Sequence, residues 1–123
     1  MTPKNISGKM GEAAAAKHLE QNGYRIICRN YKVRSSEIDI IASDGDCLCF
    51  IEVKTRKNKN FGMASEAVDF YKREKLILGA RCFLLSKPPF AKFRFDVVEV
   101  YGKMGESGFI VQEINIIKNA FEA

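Results

Sequence analysis

Four ionisable side chains gather on one face of a predicted β-hairpin. They are Glu37, Asp39, Glu52 and Lys54. The sequence Asp44-Gly45-Asp46 between them is a strong tight-turn signal, and side chains along a strand alternate between the two faces. A two-residue turn at Asp44-Gly45 would place Glu37 opposite Glu52. A turn one residue later would place Asp39 opposite Glu52, and either register leaves all four groups on one face.

This arrangement suits the hydrolysis of a phosphodiester bond. Asp39 and Glu52 offer hard oxygen ligands for Mg²⁺, for which Mn²⁺ is an expected substitute, and the backbone carbonyl of Val53 could add another ligand. A bound divalent cation polarises phosphate and lowers the pKa of water. Lys54 could then position that water and stabilise negative charge developing on phosphorus.

The alternative is an exposed strand end with a cross-strand Glu–Lys pair, worth well under ~1 kcal/mol. The charged groups sit beside strands that are otherwise apolar, and carboxylates buried without a partner are costly. Four ionisable groups converging there favour the metal site.

Positive charge is unevenly distributed along the chain. Lys and Arg number 20 against 15 Asp and Glu, a net charge of +5, and the basic residues cluster in Lys54–Lys59 and Lys72–Arg94. Such clusters suit a polyanionic partner, although a solvated surface is the alternative. Arg56 lies two residues beyond Lys54 and is a candidate phosphate contact or an ordinary surface arginine. Lys57 and Lys59 are candidate backbone contacts or solvated loop lysines.

The chain of 123 residues is expected to form a single domain, 1–123, of the α/β class. Hydrophobic periodicity and turn residues predict the order α-β-β-β-α-β-β, a mixed β-sheet flanked by helices. The predicted elements are a helix at about Ser7 to Gln21, strands at Tyr24–Val33, Glu37–Ser43 and Cys47–Thr55, a helix within Ser65–Leu85, strands to about Tyr101 and at Phe109–Ile114, and a short terminal helix at Ile117–Phe121. In the first helix Glu12 borders the face that packs inward.

The sequence indicates no membrane span and no secretory signal, because no apolar run approaches ~18 residues. We therefore expect a cytoplasmic protein with no membrane partner. Its four cysteines are expected to be reduced, and Cys47-x-Cys49 is not the usual zinc spacing.

The chain resembles a known family over nearly its whole length. Asp39…Glu52-x-Lys54 across a hairpin looks like the PD-(D/E)xK core of the restriction-endonuclease-like fold. The wider pattern resembles the YraN-like family of bacterial proteins, similar in core to archaeal Holliday-junction resolvases. The matching motifs are Gly8-x-x-Gly11-Glu12-x-x-Ala15, Gly23-Tyr24, Arg29-Asn30-Tyr31, Glu37-Ile38-Asp39, Phe50-Ile51-Glu52-Val53-Lys54-x-Arg56, Arg94-Phe95-Asp96-Val97-Val98 and Asn119-Ala120-Phe121.

The resemblance implies a role for several residues. Asp39 and Glu52 match the metal ligands and Lys54 the catalytic lysine. Glu12 matches a first-helix glutamate that joins the site in resolvase-like members. Lys72 stands where the family has a helix lysine, which could reach the site or cover the helix flank.

Two positions depart from the pattern. Ser36 replaces a glycine, and Ile38 stands where the core often has proline. Glu37 belongs to the family's own motif without a clear role and is a further candidate ligand.

The expected function is that of a Mg²⁺-dependent DNA endonuclease, with branched or otherwise unusual DNA as the candidate substrate. The alternative is a nucleic-acid-binding protein that keeps the fold without cleaving, because fold alone does not establish activity. By analogy with resolvases, a homodimer is expected. Tyr31, Phe61 and Tyr71 are candidates to stack on unpaired bases, with core packing favoured for Tyr71.

Overall fold

The helices and strands follow the predicted order α-β-β-β-α-β-β. The computed structural model describes residues 3–34, 36–57, 70–86 and 92–122, with residues 3–7 described by their backbone alone. The elements are α1 (Pro3–Gln21), β1 (Arg25–Val33), β2 (Ser36–Asp44), β3 (Cys47–Arg56), α2 (Phe70–Ser86), β4 (Lys92–Gly105) and β5 (Gly108–Phe121). The predicted α/β class and mixed sheet are confirmed.

The five strands form one sheet in the order β1-β2-β3-β4-β5. β1, β2 and β3 form an antiparallel meander, β4 lies parallel to β3, and β5 returns antiparallel to β4. Parallel neighbours require a crossover connection, and α2 lies in that connection. The strand that carries Glu52 and Lys54 is therefore the central one.

The β2–β3 turn selects one of the two predicted registers. Asp44 pairs with Cys47 and Ile40 with Ile51, so the two-residue turn is Gly45-Asp46. Gly45 has a φ of 64°, which a residue without a Cβ adopts at little steric cost. This register directs Asp39 toward Glu52 at the end of the hairpin far from the turn.

Each face of the sheet buries its own core cluster under one helix. Beneath α2, Leu76 and Phe83 pack with Phe50 and Val97. Beneath α1, the second cluster contains Ala15, Leu19, Ile51 and Val98. Odd and even positions of β3 and β4 divide between the two clusters as the alternation of a strand requires.

Three local predictions were wrong. Ile117–Phe121 is the end of β5 and not a helix. The period of a strand predicts Ile38 and Ile40 on one face, but Ile38 belongs to the cluster beneath α2 and Ile40 to the cluster beneath α1. The alternation of β2 is thus interrupted next to Asp39. Tyr71, expected in the core, is 69% exposed.

All four cysteines are free thiols, and Cys47 and Cys49 are buried. Within the described ranges, neither helix has the length and apolar character needed to cross a bilayer.

A buried polar network connects the first residues of β4 to neighbouring parts of the fold. The Asp96 carboxylate is 1% exposed and accepts from Arg94 Nε at 2.9 Å, from the Tyr24 hydroxyl at 3.1 Å and from the Asn119 backbone N–H at 2.9 Å. Arg94 also donates to Asp44 at 2.8 Å. Each of these polar groups is paired, so Asp96 is a structural carboxylate.

Replacing Arg94 with alanine should destabilise the fold by about 3 kcal/mol, because it leaves a buried carboxylate without its charge partner. Urea unfolding of the purified protein would measure the change in free energy. Lys118→Ala is the matched control, since Lys118 also contacts Asp44, at 3.2 Å, but is exposed and should cost less than about 1 kcal/mol. Equal losses in the two variants would contradict the structural role of Asp96.

Candidate metal and nucleic-acid site

Two carboxyl groups, those of Asp39 and Glu52, meet at the end of the β2–β3 hairpin that is far from the turn. Asp39 Oδ2 accepts a hydrogen bond from the Val53 backbone N–H at 2.8 Å, which fixes its orientation. The Asp39 and Glu52 side chains also lie within hydrogen-bonding reach of each other. Glu52 is only 6% exposed, so the pair is largely removed from water.

Burial and mutual repulsion make this pair hard to ionise fully. Burial, and after it the neighbouring Glu52 carboxylate, raise the pKa of Asp39 to about 8, against the hydrogen bond from Val53, which lowers it. Two close carboxylates in a poorly solvated place need a shared proton or a cation between them. A cation held between the two carboxyl groups would relieve this repulsion.

Two lysines compensate the charge of Glu52. Lys54 Nζ lies 3.3 Å from Glu52 Oε2, and Lys72 Nζ, from α2, lies 2.5 Å from the same oxygen. Burial lowers the pKa of Lys54, and the neighbouring Lys72 ammonium lowers it further. Burial is the largest single effect on Lys72 and lowers its pKa, but the interactions of the ammonium with Glu52, Lys54 and Asp39 together outweigh it, so the pKa is raised.

The carboxyl pair forms the floor of a surface pocket of about 400 Å³. The helix α2 forms its wall and contributes two lysines and an exposed tyrosine. The lining residues are Glu37, Asp39, Glu52, Tyr71, Lys72, Lys75 and Leu76. The pocket thus has an acidic floor and a basic, partly aromatic rim.

The other two acidic candidates lie at the edge of this site. Glu12 of α1 is half-buried, and burial raises its pKa; Arg29 opposes that effect, while Glu37 and Glu52 add to it. Glu12 is therefore within electrostatic reach of the pair. Glu37 lines the pocket but is partly exposed, 3.9 Å from Lys32.

The donor set fits a hard divalent cation held by few protein ligands. Within the described ranges, no three His, Cys, Asp or Glu side chains form a group with metal-binding geometry. Asp39 and Glu52 supply two adjacent carboxylates with the Val53 peptide beside them. Mg²⁺ is typically bound by one or two carboxylates and retains several waters, so two carboxylates suffice.

The remaining basic candidates are not all at the pocket. Arg56 ends β3 beside Tyr101, and its Nε is buried without a hydrogen-bond partner among the described residues. Lys57 is exposed just beyond the strand. Lys59 and Phe61 lie outside the described residues. Tyr31 packs edge-on against Phe83, 5.3 Å between ring centroids, and is a core residue.

Sequence reasoning missed two contributions to this site. Lys75 lines the pocket one turn after Lys72, and helical spacing from Lys72 could have identified it. Ser36, which replaces the glycine of the family pattern, donates to the Lys75 backbone carbonyl at 2.5 Å and so joins β2 to α2. No signal in the sequence alone pairs those two positions.

The chain is similar to a family of bacterial proteins over most of its length. The sequence profile described as "Uncharacterised protein family UPF0102" matches residues 11–100. A UPF0102 protein of Symbiobacterium thermophilum is 46% identical over 119 residues, covering 94% of this chain and 96% of that protein. A UPF0102 protein of Caldanaerobacter subterraneus is 40% identical over 120 residues, covering 96% of each.

One solved structure is similar at a much greater distance. SfsA of Pyrococcus furiosus in complex with Ca²⁺ matches with a TM-score of 0.40 and 16% identity, over 90% of this chain and 63% of that one. A likeness this distant carries no functional argument.

Proposed function

Because the chain belongs to the uncharacterised protein family UPF0102, we propose its function from the site: it is a Mg²⁺-dependent nuclease that hydrolyses phosphodiester bonds in DNA. The observation that carries this proposal is the contact of two largely buried carboxyl groups, Asp39 and Glu52, with Lys54 beside them. Burying two carboxyl groups in contact lowers the stability of a fold that binds no cation there. A purely structural strand end has no need of such a pair.

The chain's own residues supply the positioning. Asp39 and Glu52 would hold the cation, with the Val53 carbonyl as a further ligand, and the Val53 N–H keeps Asp39 aimed at the pair. When bound, the cation polarises the phosphate and lowers the pKa of a water. Lys54, whose side chain is 16% exposed, presents a charged donor in a poorly solvated place where electrostatic stabilisation is strong.

The rim of the pocket favours a nucleic acid as the substrate. Lys72 and Lys75 place positive charge around the acidic floor, and Tyr71 is exposed beside them. The Lys75 ammonium lies 5.2 Å from the Tyr71 ring centroid. Basic groups with an exposed aromatic ring suit backbone contacts together with stacking on an unpaired base. This supports branched or partly unpaired DNA as the substrate class.

Two measurements test the proposal. Spectroscopic or calorimetric titration with Mn²⁺ asks whether the pair binds a divalent cation. Incubation with Mg²⁺ or Mn²⁺ and a panel of linear, flapped, single-stranded and four-way DNA asks whether the protein cleaves, with Asp39→Asn as the inactive control. Cleavage that the Asp39→Asn preparation retains would be contamination. Binding without cleavage of any substrate would favour the non-catalytic alternative.

DNA binding should depend on salt, because it rests mainly on phosphate contacts. Log affinity should fall linearly with log salt concentration. Joint Lys57→Ala and Lys59→Ala should reduce the slope by at most about 2, at roughly one unit per phosphate contact. Fluorescence anisotropy at several salt concentrations measures this, and an affinity independent of salt would contradict it.

A further inference from the structure

One oxygen of Glu52 holds two ammonium groups. Lys54, two residues after Glu52 on the same strand, contacts its Oε2, and Lys72 contacts the same oxygen from α2. A single carboxylate needs one compensating cation, and Lys54 already supplies it from a mostly buried position. The second ammonium, at 2.5 Å, is the closer of the two.

The two lysine side chains differ in their exposure to solvent. The Lys54 side chain is 16% exposed, whereas that of Lys72 is 47% exposed at the rim of the pocket. Lys72 can therefore turn toward solvent without exposing core or breaking the sheet. Lys54 cannot leave as easily, because most of its side chain is buried.

From these contacts we propose that Lys72 takes the place of the divalent cation on Glu52 in the metal-free protein and moves to a phosphate of the nucleic acid when the cation binds. The inference rests on the proposed function and deepens it. Lys72 is then a positioning residue that couples two ligands. Phosphate draws the ammonium from Glu52 and opens the metal site, and the cation in turn releases the ammonium for phosphate.

Coupling of this kind is reciprocal. If the cation raises affinity for nucleic acid by some factor through Lys72, nucleic acid raises affinity for the cation by the same factor. Without nucleic acid, Lys72 competes with the cation for Glu52. Removing its charge should therefore tighten the binding of a metal on its own.

The test measures Mn²⁺ affinity without DNA in the parent protein and in two variants. Lys72→Met keeps most of the side-chain stem and removes the charge, and it should tighten Mn²⁺ binding by about tenfold, within the usual range of coupling between sites. Lys75→Met is the matched control, since it removes a charge from the same helix and the same pocket without a contact to Glu52. It should change the affinity by less than about threefold. Circular dichroism confirms that each variant is folded.

The outcomes separate this inference from the proposed function. Unchanged or weaker Mn²⁺ binding by Lys72→Met, with binding by the parent, overturns the exchange and leaves the metal site standing. Equal tightening by both variants also overturns it, because a general charge effect would then suffice. Detectable Mn²⁺ binding by Lys72→Met but not by the parent or Lys75→Met supports the exchange. Absence of Mn²⁺ binding in all three proteins overturns both the proposed function and this inference.

A second measurement follows Lys72 to the phosphate. The affinity for a short DNA duplex is determined with and without Ca²⁺, at constant ionic strength, for the parent and Lys72→Met. Lys72 should contribute to DNA affinity mainly in the presence of Ca²⁺, when it has left Glu52, so the variant's loss should be at least about threefold greater with Ca²⁺ than without it. An equal loss under both conditions would show a lysine that contacts DNA without exchanging.

Discussion

Replacing Asp39 with asparagine should strongly weaken divalent-metal binding and abolish cleavage while making the metal-free protein more stable. The variant loses a charged ligand, so we expect Mn²⁺ affinity to fall by more than about 100-fold, beyond the 10- to 100-fold typical of a group that only supports a ligand. Asparagine keeps an oxygen that can accept from the Val53 N–H. It also removes the repulsion between Asp39 and Glu52. Calorimetric titration measures the first effect and thermal unfolding the second.

The stability gain should depend on pH in a defined direction. The pKa of Asp39 is raised to about 8 in the folded protein from an ordinary value of 3.8. Between these values the folded protein retains a proton that the unfolded chain has released, so the parent loses stability as pH rises through this interval. Asparagine does not titrate. The advantage of the variant in melting temperature should be at least about 3 °C larger at pH 8.5 than at pH 5, both in chelator.

Glu37→Gln is the matched control for both effects. Glu37 lines the same pocket, but it is partly exposed and its ion pair with Lys32 is long, at 3.9 Å. The substitution should leave metal affinity and melting temperature nearly unchanged. An Asp39→Asn variant that binds Mn²⁺ as tightly as the parent, or that is less stable than the parent at pH 8.5, would show that Asp39 is not a metal ligand.

Lys54→Ala should separate chemistry from binding. If Lys54 stabilises charge that develops only in the transition state, its loss should lower the cleavage rate much more than DNA affinity. We expect single-turnover cleavage to slow by at least about 100-fold, with DNA affinity changed by less than about threefold. The unequal effect follows from the contact of Lys54 with Glu52, whose carboxylate forms part of the pocket floor, whereas Lys72 and Lys75 supply charge at the rim.

This comparison needs rate and affinity at the same salt concentration, with Ca²⁺ in place of Mg²⁺ for binding if it supports binding without cleavage. Lys57→Ala is the control on the same strand end, because Lys57 is exposed beyond β3. It should weaken DNA binding slightly and leave the rate for bound DNA unchanged. A Lys54→Ala protein that cleaves bound DNA at the parent rate would make Lys54 a phosphate anchor.

The hairpin was predictable because short-range rules determine it. The Asp-Gly turn restricts the register to two choices, and the period of a strand then assigns Asp39, Glu52 and Lys54 to one face in both. The structure has the register with Ile40 opposite Ile51. The approach of Lys72 to Glu52 was only suggested, because it depends on how α2 lies across the sheet.

The wrong predictions have identifiable physical causes. Ile117 and Phe121 are four residues apart and imitate one face of a helix, but both belong to the core beneath α2 as residues of β5. The register of β4 and β5 shifts opposite Asp96, where Asn119 has a φ of 54° and donates its N–H to that carboxylate. This bulge depends on a partner 23 positions away, which local periodicity cannot reveal.

Long-range packing also explains why motifs far from the pocket belong to the family pattern. Tyr24, Arg94, Asp96 and Asn119 come from three separate motifs and meet in one buried network. Their contacts hold β4 and β5 to the rest of the fold. The resemblance to the family groups these residues in one pattern, and the fold relates them to stability through their shared hydrogen bonds.

The attachment of α2 to β2 restricts which motions can occur at the pocket. Ser36 holds the helix at the Lys75 carbonyl. One turn later, Gly79 lies so close to β2 that an added Cβ would be 2.7 Å from Ser36 Oγ and 3.0 Å from Ile38 Cδ1. A helix held this tightly cannot slide or swing without unpacking its core, a motion of microseconds or longer. Lys72 precedes this attachment and needs only rotation about its own side-chain bonds, which for an exposed residue takes picoseconds to nanoseconds. Arrival of the cation and the DNA by diffusion, and not rearrangement of the protein, would then limit how fast the pocket is loaded.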